Sequence, residues 1–220
     1  MDYITAYIHP LKWTEGNIFG MSFELEGEKP SMRIDWGDGK SNSFTGKSIS
    51  AMHKYPKNDK QSFMATATAT SGTIVHAQPS GGDCYYESAD LSHAPSLRSA
   101  YIESFKQVKL CNPLIERLTM RILLGSEYDL SSCVNLRELI FDCESDFRRL
   151  DLSMCHKLEK LECWGFLSDK FTQIAVPNDA PLRYVDIKGH HFTPQCLNAL
   201  RRIVERNGGT IIEEMEDYPE

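Results

Sequence analysis

The sequence predicts a mostly β, α+β protein in two parts: a small N-terminal β-sandwich, then a solenoid with a parallel β-sheet, capped by one C-terminal helix. Three observations predict this fold class. Alternating apolar and polar residues before position 78 are typical of half-buried strands. A segment that begins at Asp129 recurs 22 residues later at Asp151, and a period of that size indicates a solenoid. A run with helical spacing of apolar residues follows Thr193.

Composition restricts the classes of function. The chain has 220 residues, 41% of them hydrophobic, and a net charge of −7, with a pI near 5.5. This share of hydrophobic residues is sufficient for folded domains with hydrophobic cores. The negative net charge disfavours nucleic acids and anionic membranes as partners. No apolar run approaches the roughly 20 residues that span a bilayer. A transmembrane segment and a nucleic-acid partner are therefore not expected.

The sequence does not determine the cellular compartment of the protein. The first ten residues carry no basic segment and only short apolar runs, so they are not expected to form a signal peptide. Two alternatives follow: the protein is cytoplasmic, or its targeting segment is missing from this sequence. Seven cysteines are present and no pair has the C-x-x-C spacing. We interpret them as mostly reduced, buried thiols and expect no metal and no cofactor.

The N-terminal part, residues 1–78, shows three strand patterns and a turn. The alternating runs are Met21–Glu26, Met32–Trp36 and Phe63–Thr70. Gly37-Asp38-Gly39 follows the second run, and an Asp-Gly pair after a strand indicates a tight turn. Several short strands separated by turns favour a small β-sandwich.

Three features of this part carry a family resemblance: Ile34-Asp35-Trp36-Gly37-Asp38-Gly39, His53-Lys54-Tyr55, and the Phe63–Thr70 strand. Together they resemble a polycystic-kidney-disease-type (PKD) domain over about residues 3 to 75. The resemblance implies an immunoglobulin-like β-sandwich. The glycine turn that usually precedes the closing strand of that family is replaced here by residues 56–61.

Two interpretations exist for the acidic residues of this turn. Asp35 and Asp38 are oxygen donors of the kind that calcium prefers. The interpretation we favour is that Asp38 caps the turn through local backbone bonds, with Trp36 in the core, since the spacing does not match an EF-hand loop. His53 is interpreted as a buried or turn-bonded histidine rather than a catalytic base.

The segment 78–83, Gln-Pro-Ser-Gly-Gly-Asp, predicts the junction with a second part, residues 79–220. There an L-x-x-L-x-L pattern, the strand signature of a leucine-rich repeat, begins at five positions. Alternate residues of such a strand point inward, and each coil stacks its apolar residues on the next. The expected core positions are Leu97, Ala100, Ile102, Ile115, Leu118, Met120, Leu136, Leu139, Phe141, Leu158, Leu161, Cys163, Leu182, Val185 and Ile187.

Asp-Leu-Ser precedes three of the units, at Asp90, Asp129 and Asp151, and its leucine is expected to point inward. Cys111, Cys133 and Cys155 fall 22 residues apart. Stacked cysteines are compatible with a metal ladder or a disulfide, but we favour small apolar residues that fill a corner of successive coils.

The D-L-S-x-C-x-x-L-x-x-L units resemble the leucine-rich repeats of bacterial, Bacteroides-type surface-associated proteins, over about residues 84 to 212. Such proteins often carry a PKD-like domain before the repeats. The resemblance implies a binding or adhesion protein rather than an enzyme, at the cell surface or secreted.

The C-terminal segment predicts a cap. Thr193 is an N-cap residue and Pro194 occupies the first helical position. Gly208 and Gly209 are expected to end the helix, and a short strand follows at residues 210–212. Residues 213–220 form an acidic tail, interpreted as frayed, with an interaction peptide as the alternative.

The concave face of the repeats is the candidate functional surface, because strand residues between the core positions are exposed there. Aromatic residues and arginine are enriched at interfaces. The residues expected to bind a partner are Tyr101, Arg117, Arg121, Glu138, Asp142, Lys160, Glu162, Trp164, Tyr184 and Asp186.

The resulting hypothesis is a non-catalytic binding module, monomeric, with a protein partner. A carbohydrate-binding surface is the alternative, through stacking of sugars on aromatic rings. The sequence lacks the common nucleophile, phosphate-binding and zinc-protease motifs, so catalytic residues are not expected. His190 and His191 near Cys196 are interpreted as loop residues before the helix rather than as a nucleophilic pair.

Overall fold

The computed structural model describes residues 1–10, 17–56, 61–80, 84–123, 128–143, 147–164 and 170–213. Within these ranges the chain forms fifteen strands and one α-helix, and the helix lies near the C-terminal end. The predicted mostly β composition, with stacked parallel strands and one C-terminal helix, is confirmed.

Five strands form the N-terminal part: β1 (Tyr3–Pro10), β2 (Ile18–Asp35), β3 (Ser41–Thr45), β4 (Ser48–Lys54) and β5 (Phe63–Ser80). Buried residues alternate with more exposed ones along β1 and along the predicted runs, because a strand presents successive side chains to opposite sides of the sheet. Strand β5 pairs with β1 on one side and with β2 on the other, both antiparallel.

Strands β2 and β5 are long and change partners midway. The first half of β2 pairs with β4 and the second half with β3. The β2–β5 register shifts between Glu26 and Ser31, where the two backbones approach closely. A Cβ added at Gly72, whose φ is 80°, would lie 2.3 Å from the carbonyl oxygen of Glu26. Glycine is therefore required where the strands shift register.

The remaining strands are β6 (Cys84–Asp90), β7 (Ser99–Glu103), β8 (Phe105–Lys109), β9 (Arg117–Leu123), β10 (Glu138–Cys143), β11 (Arg149–Asp151), β12 (Lys160–Trp164), β13 (Gln173–Ala175), β14 (Tyr184–Asp186) and β15 (Thr210–Ile212). Six of them continue the sheet from β5 in the order β7, β9, β10, β12, β14, β15, each parallel to the one before. The other four form two further parallel ladders, β6 with β8 and β11 with β13.

The core is one continuous cluster that extends from Ile4 in β1 to Val204 in the helix. All fifteen core positions expected from the repeat pattern are buried, none more than 4% exposed. The leucines of the three Asp-Leu-Ser segments, Leu91, Leu130 and Leu152, are buried as well. The inward direction of the repeat is confirmed.

Each coil turns toward the parallel sheet at a corner with a recurring backbone bond. The Cys133 amide donates to the Leu130 carbonyl, and the Leu136 amide donates to the Cys133 carbonyl. The same pattern recurs in the neighbouring coils. The corner residues, all fully buried, are Ala94, Asn112, Cys133, Cys155 and Ala180.

One of the three cysteines predicted at the corner lies elsewhere. Cys133 and Cys155 fill it as expected, but Cys111 is exposed and Asn112 occupies its place. The repeat between Asn112 and Cys133 is 21 residues long. A constant spacing of 22 residues therefore assigned the corner position to Cys111 instead of Asn112. The Asn112 amide nitrogen donates to the Leu91 and Ala94 carbonyls at 2.9 and 2.8 Å, which satisfies its burial.

The helix α1 (Pro194–Arg206) closes the C-terminal end of the solenoid. The Thr193 hydroxyl accepts a hydrogen bond from the Cys196 amide at 3.3 Å, as an N-cap does. Gly208 has a φ of 65°, and the Gly209 amide donates to the Val204 carbonyl at 3.0 Å. The predicted helix start and glycine end are confirmed.

Two predictions about the chain's organisation stay predictions: an immunoglobulin-like β-sandwich in the N-terminal part and the boundary between residues 78 and 79. Residues 78–80 lie in β5, although their composition predicts a break. Among the described residues, no helix combines the length and the apolar character that a membrane crossing requires. Most of the acidic tail, residues 214–220, lies outside the described residues.

Candidate functional site

One side of the parallel sheet faces away from the core, and we call it the sheet face. Its side chains alternate in sequence with the buried positions of the same strands. The predicted partner-binding residues lie on it. Its described members are Ser99, Tyr101, Glu103, Arg117, Thr119, Arg121, Glu138, Ile140, Asp142, Lys160, Glu162, Tyr184, Asp186 and Lys188.

Strand register assembles these residues into rows. One row consists of Ser99, Arg117, Glu138, Lys160 and Tyr184, each directly opposite the next. A second row consists of Tyr101, Thr119, Ile140, Glu162 and Asp186. Neighbouring strands in a sheet lie about 4.8 Å apart, so a ligand across the face meets one side chain per strand.

Charged residues toward the β14 end of the face pair with each other. Lys160 Nζ lies 2.6 Å from Glu162, and Lys188 Nζ lies 3.2 Å from Asp186. The hydrogen bond to Glu162 raises the pKa of Lys160. Lys160 also lies 5.4 Å from the centroid of the Tyr184 ring. These charges are largely neutralised within the chain.

Beyond the second row, strand β10 carries a buried carboxylate of which only one oxygen lies near a partner. Asp142 is 7% exposed, and its Oδ2 lies 3.8 Å from Arg121 Nε. Its Oδ1 is buried and has no hydrogen-bond partner in the part of the chain that the structure describes. An unsatisfied carboxylate oxygen is costly to bury, so Asp142 keeps a strong preference for a donor or a cation.

The sheet face continues beyond the predicted residues into the N-terminal strands. His76 of β5 lies opposite Ser99 of β7, and Glu24 of β2 lies opposite His76. A groove of about 390 Å³ crosses this junction. It is lined by Glu24, His76, Gln78, Ser99, Ala100, Tyr101, Arg117, Leu118, Thr119, Glu138 and Ile140.

His76 lies in the wall of this groove with its ring fixed. Its Nδ1 is 2.8 Å from the Ser99 hydroxyl. Burial lowers the pKa of His76, Glu24 raises it and Arg117 lowers it further, with a net decrease. The lowered pKa favours the neutral form of the imidazole.

The Trp-Gly-Asp-Gly turn is held by its own side chains. Asp38 Oδ2 lies 2.9 Å from His53 Nε2, and its Oδ1 accepts from the Lys40 amide at 3.1 Å. The His53 ring stacks on Trp36 with centroids 5.0 Å apart, and the Tyr55 hydroxyl donates to the Trp36 carbonyl at 2.8 Å. Burial by itself would raise the pKa of Asp38, but the His53 bond and the Lys40 amide lower it overall. These contacts bear out the turn-capping interpretation of Asp38 and the turn-bonded interpretation of His53.

The Cys196 thiol has a structural position. Its Sγ accepts from the Ile174 amide at 3.3 Å and donates to the Ile174 carbonyl at 3.5 Å, so the helix covers the edge of β13. Burial raises the pKa of Cys196, the opposite of what a nucleophilic thiol needs. His190 packs against Phe171 and Phe192.

The structure thus brings nine of the ten predicted binding residues to one surface. The tenth is Trp164 of β12, whose backbone lies opposite Asp142 of β10. The Trp164 side chain lies outside the described part of the structure. Sequence reasoning missed Glu24, His76 and Gln78, since the repeat pattern begins only at Leu97. The available signal was the alternation of the residues from Thr73 to Gln78, which continues the Phe63–Thr70 run toward the repeats.

Comparison with protein-family models, with curated proteins and with solved structures found no match to this chain, so the candidate site rests on its own sequence and geometry.

Proposed function

We propose that this protein is a non-catalytic binding module that holds a protein partner on the sheet face. The proposal includes the two family resemblances, a PKD-like sandwich followed by leucine-rich repeats of a surface-associated, adhesive type. The observation that carries it is the groove at the β5–β7 junction, where Tyr101, Arg117 and Ile140 line a concave surface next to ordered polar side chains.

The composition of the face supports a protein partner. Tyrosine and arginine supply large contact areas with polar ends, and such residues dominate the energetics of protein interfaces. Tyr101 and Tyr184 are both half-exposed and lie within paired strands: Tyr101 is opposite Thr119, and Tyr184 is opposite Lys160 on one side and Thr210 on the other. A rigid strand presents a side chain with little loss of entropy on binding.

Capture of partners on immobilised protein tests the proposal. The double variant Tyr101→Ala and Tyr184→Ala removes both aromatic contacts of the face. We expect it to reduce partner capture from the source cells at least tenfold, because interface tyrosines often contribute more than about 2 kcal/mol. Tyr7→Ala is the matched control, since Tyr7 is 43% exposed on β1 and lies off the face.

A specific set of captured proteins lost in the double variant and kept in the control supports the proposal. Capture that is equal in all three proteins contradicts it. Binding to a glycan array that depends on Tyr101 would instead favour the carbohydrate-binding alternative.

A further inference from the structure

Strand β4 forms an open edge of the sheet that carries the sheet face. Among the described residues it pairs with β2 and with no other strand. Its seven residues make it the longest open edge strand in that part of the chain, since β3 and β8 have five residues each and β15 has three. The unpaired amides and carbonyls of an edge strand are a template on which another strand can pair.

The direction of the β4 backbone follows from its pairing with β2. At one end of the ladder the Tyr55 amide donates to the Asn17 carbonyl at 2.9 Å. At the other end the Leu25 amide donates to the Lys47 carbonyl at 2.7 Å. The register is constant between these pairs, and hydrogen-bonded pairs alternate along an antiparallel ladder, so the odd-numbered residues of β4 direct their backbone groups to β2. The even-numbered residues direct theirs to the open edge, namely Ser48, Ser50, Met52 and Lys54.

Strand β4 lacks the features that commonly protect an edge strand from pairing. It contains no proline, and its only lysine, arginine, aspartate or glutamate is Lys54 at its last position. The edge strand β8, in contrast, carries Lys106 and Lys109. The Met52 side chain is 69% exposed and lies opposite Gly20, which has no side chain to cover it. An edge with so little charge and an exposed apolar side chain favours contact with another strand.

We propose that a second copy of this chain pairs with this edge, and that the two β4 strands run antiparallel about a two-fold axis at Ala51. In this register residues 48–54 of each copy lie opposite residues 54–48 of the other, so the whole strand is paired. The even-numbered residues then form the hydrogen-bonded pairs, and the contact uses the same surface on both copies. The dimer replaces the expectation of a monomer and does not depend on the proposed function.

The side chains of β4 favour a second copy over an unrelated strand, because the strand is complementary to itself. Lys54 lies opposite Ser48 of the second copy, so like charges do not face each other. Ala51 at the axis is small and buried on the core side of the sheet. The two Met52 side chains are diagonal neighbours across the axis, a separation that long side chains bridge. Pairing therefore covers the exposed methionine with its own copy.

The dimer presents two sheet faces side by side. Ser48 of β4 lies opposite Glu24, and Glu24 lies opposite His76 of β5, so β4 belongs to the same face as the groove. The two-fold axis of an antiparallel pair is perpendicular to the sheet, which keeps both faces on the same side. Five strand spacings, about 24 Å, separate β5 of one copy from β5 of the other. A partner with two binding segments would then gain affinity by contacting both copies.

Sedimentation velocity over a series of protein concentrations tests the dimer. We expect the wild type to shift from monomer to dimer as the concentration rises. Met52→Lys should weaken the dimer about tenfold or more, because two ammonium groups replace the methionine contact across the axis. Met64→Lys is the matched control, since Met64 is 43% exposed on β5 and lies opposite Tyr7 of β1, away from β4.

A mixture of Met52→Lys and Met52→Glu makes the test specific for a two-fold axis. Each variant alone places like charges across the axis, whereas the mixture places opposite charges there. We expect the mixture to form a one-to-one dimer that is tighter than the dimer of either variant alone. Both variants should keep the fold because Met52 is exposed, and far-ultraviolet circular dichroism checks this.

Amide hydrogen exchange of the wild type locates the contact without any substitution. The amides of Ser50 and Met52 point to the open edge, so we expect them to exchange several-fold more slowly at a concentration at which most of the protein is dimeric. The Ala51 amide donates to β2 in either state and is the internal control.

The inference is overturned if the wild type stays monomeric at every concentration, or if Met52→Lys and Met64→Lys weaken the dimer equally. A dimer whose Ser50 and Met52 amides are not slowed also overturns it, since the interface then lies elsewhere. A monomer in which these amides slow only when a captured partner is added assigns the edge to that partner and not to a second copy. Partner capture by the sheet face is measured separately, so each proposal can fail without the other.

Discussion

Gly37 joins the Trp-Gly-Asp-Gly turn to strand β5. Its φ is 79°, and an added Cβ would lie 2.6 Å from the carbonyl oxygen of Met64. Gly39 in the same turn has a similar φ of 87° but nothing within 4 Å of such a Cβ. The two glycines therefore share the conformational requirement, and only Gly37 has the close approach.

We predict that Gly37→Ala destabilises the protein by about 3 kcal/mol or more, because left-handed strain and overpacking add. Gly39→Ala should cost only the strain, about 1–2 kcal/mol. Urea unfolding of both variants measures the difference. Equal losses would mean that the turn does not pack on β5 as the structure shows.

Single residues were predictable from the sequence where a repeat or a short motif fixed their environment. The fifteen inward positions follow from the spacing of apolar residues alone. Asp38 and His53 followed from turn chemistry. Glu24 and His76 did not, since their proximity depends on how β5 meets β7, and no local pattern encodes that pairing.

The Asp-Leu-Ser segments act as turns at the scale of an element. Asp129 Oδ1 accepts from the Ser131 amide at 2.9 Å, and Asp151 Oδ1 accepts from the Ser153 amide at 3.0 Å. Hydrogen bonds from Ser131 and Ser153 lower the pKa of Asp129 and Asp151, and Arg149 contributes to the second. A carboxylate that is stabilised in the folded state links stability to pH.

The sign follows from the lowered pKa. The stabilisation is complete above the unfolded pKa, near 3.8, and is lost as the pH falls through the lower folded pKa. The substitutions Asp129→Asn and Asp151→Asn keep a side-chain oxygen for each turn but remove the titrating group. We predict that the double variant loses less free energy of unfolding between pH 5 and pH 2 than the wild type, in chemical denaturation at each pH.

Glu28→Gln with Glu116→Gln is the control for the change in net charge, since both glutamates are exposed and outside these turns. An acid dependence in the double asparagine variant equal to that of the wild type would show that the turns are not the source.

At Pro79 the residue composition and the strand pairing indicate different local structures. Pro79 and the glycines after it indicate a break, yet Pro79 is buried opposite Met21 within β5. Its position tolerates proline because β7 pairs with β5 at His76 and Ala77, before Pro79, and needs no amide from it. Strand β5 therefore continues through the first three residues of the segment 78–83, in which composition predicts the junction.

At the scale of the whole molecule, β5 belongs to both parts of the chain. It pairs with β1 and β2 on the N-terminal side and with β7 of the coils, and the core is continuous across it. A sheet shared in this way transmits the loss of a core contact to both ends. The sequence, in contrast, predicted two parts with a boundary at residue 78.

A core shared across β5 and two separate domains divided at residue 78 predict different unfolding behaviour. Leu139→Ala removes a fully buried side chain from β10 and should cost about 2–5 kcal/mol. Trp36, fully buried in the N-terminal part, reports on that part alone in a background with Trp13→Phe and Trp164→Phe. We predict that Leu139→Ala shifts the urea midpoint of Trp36 fluorescence by the same amount as that of far-ultraviolet circular dichroism, because the continuous core unfolds as one unit. An unshifted Trp36 transition would instead establish residues 1–78 as an independently folding domain.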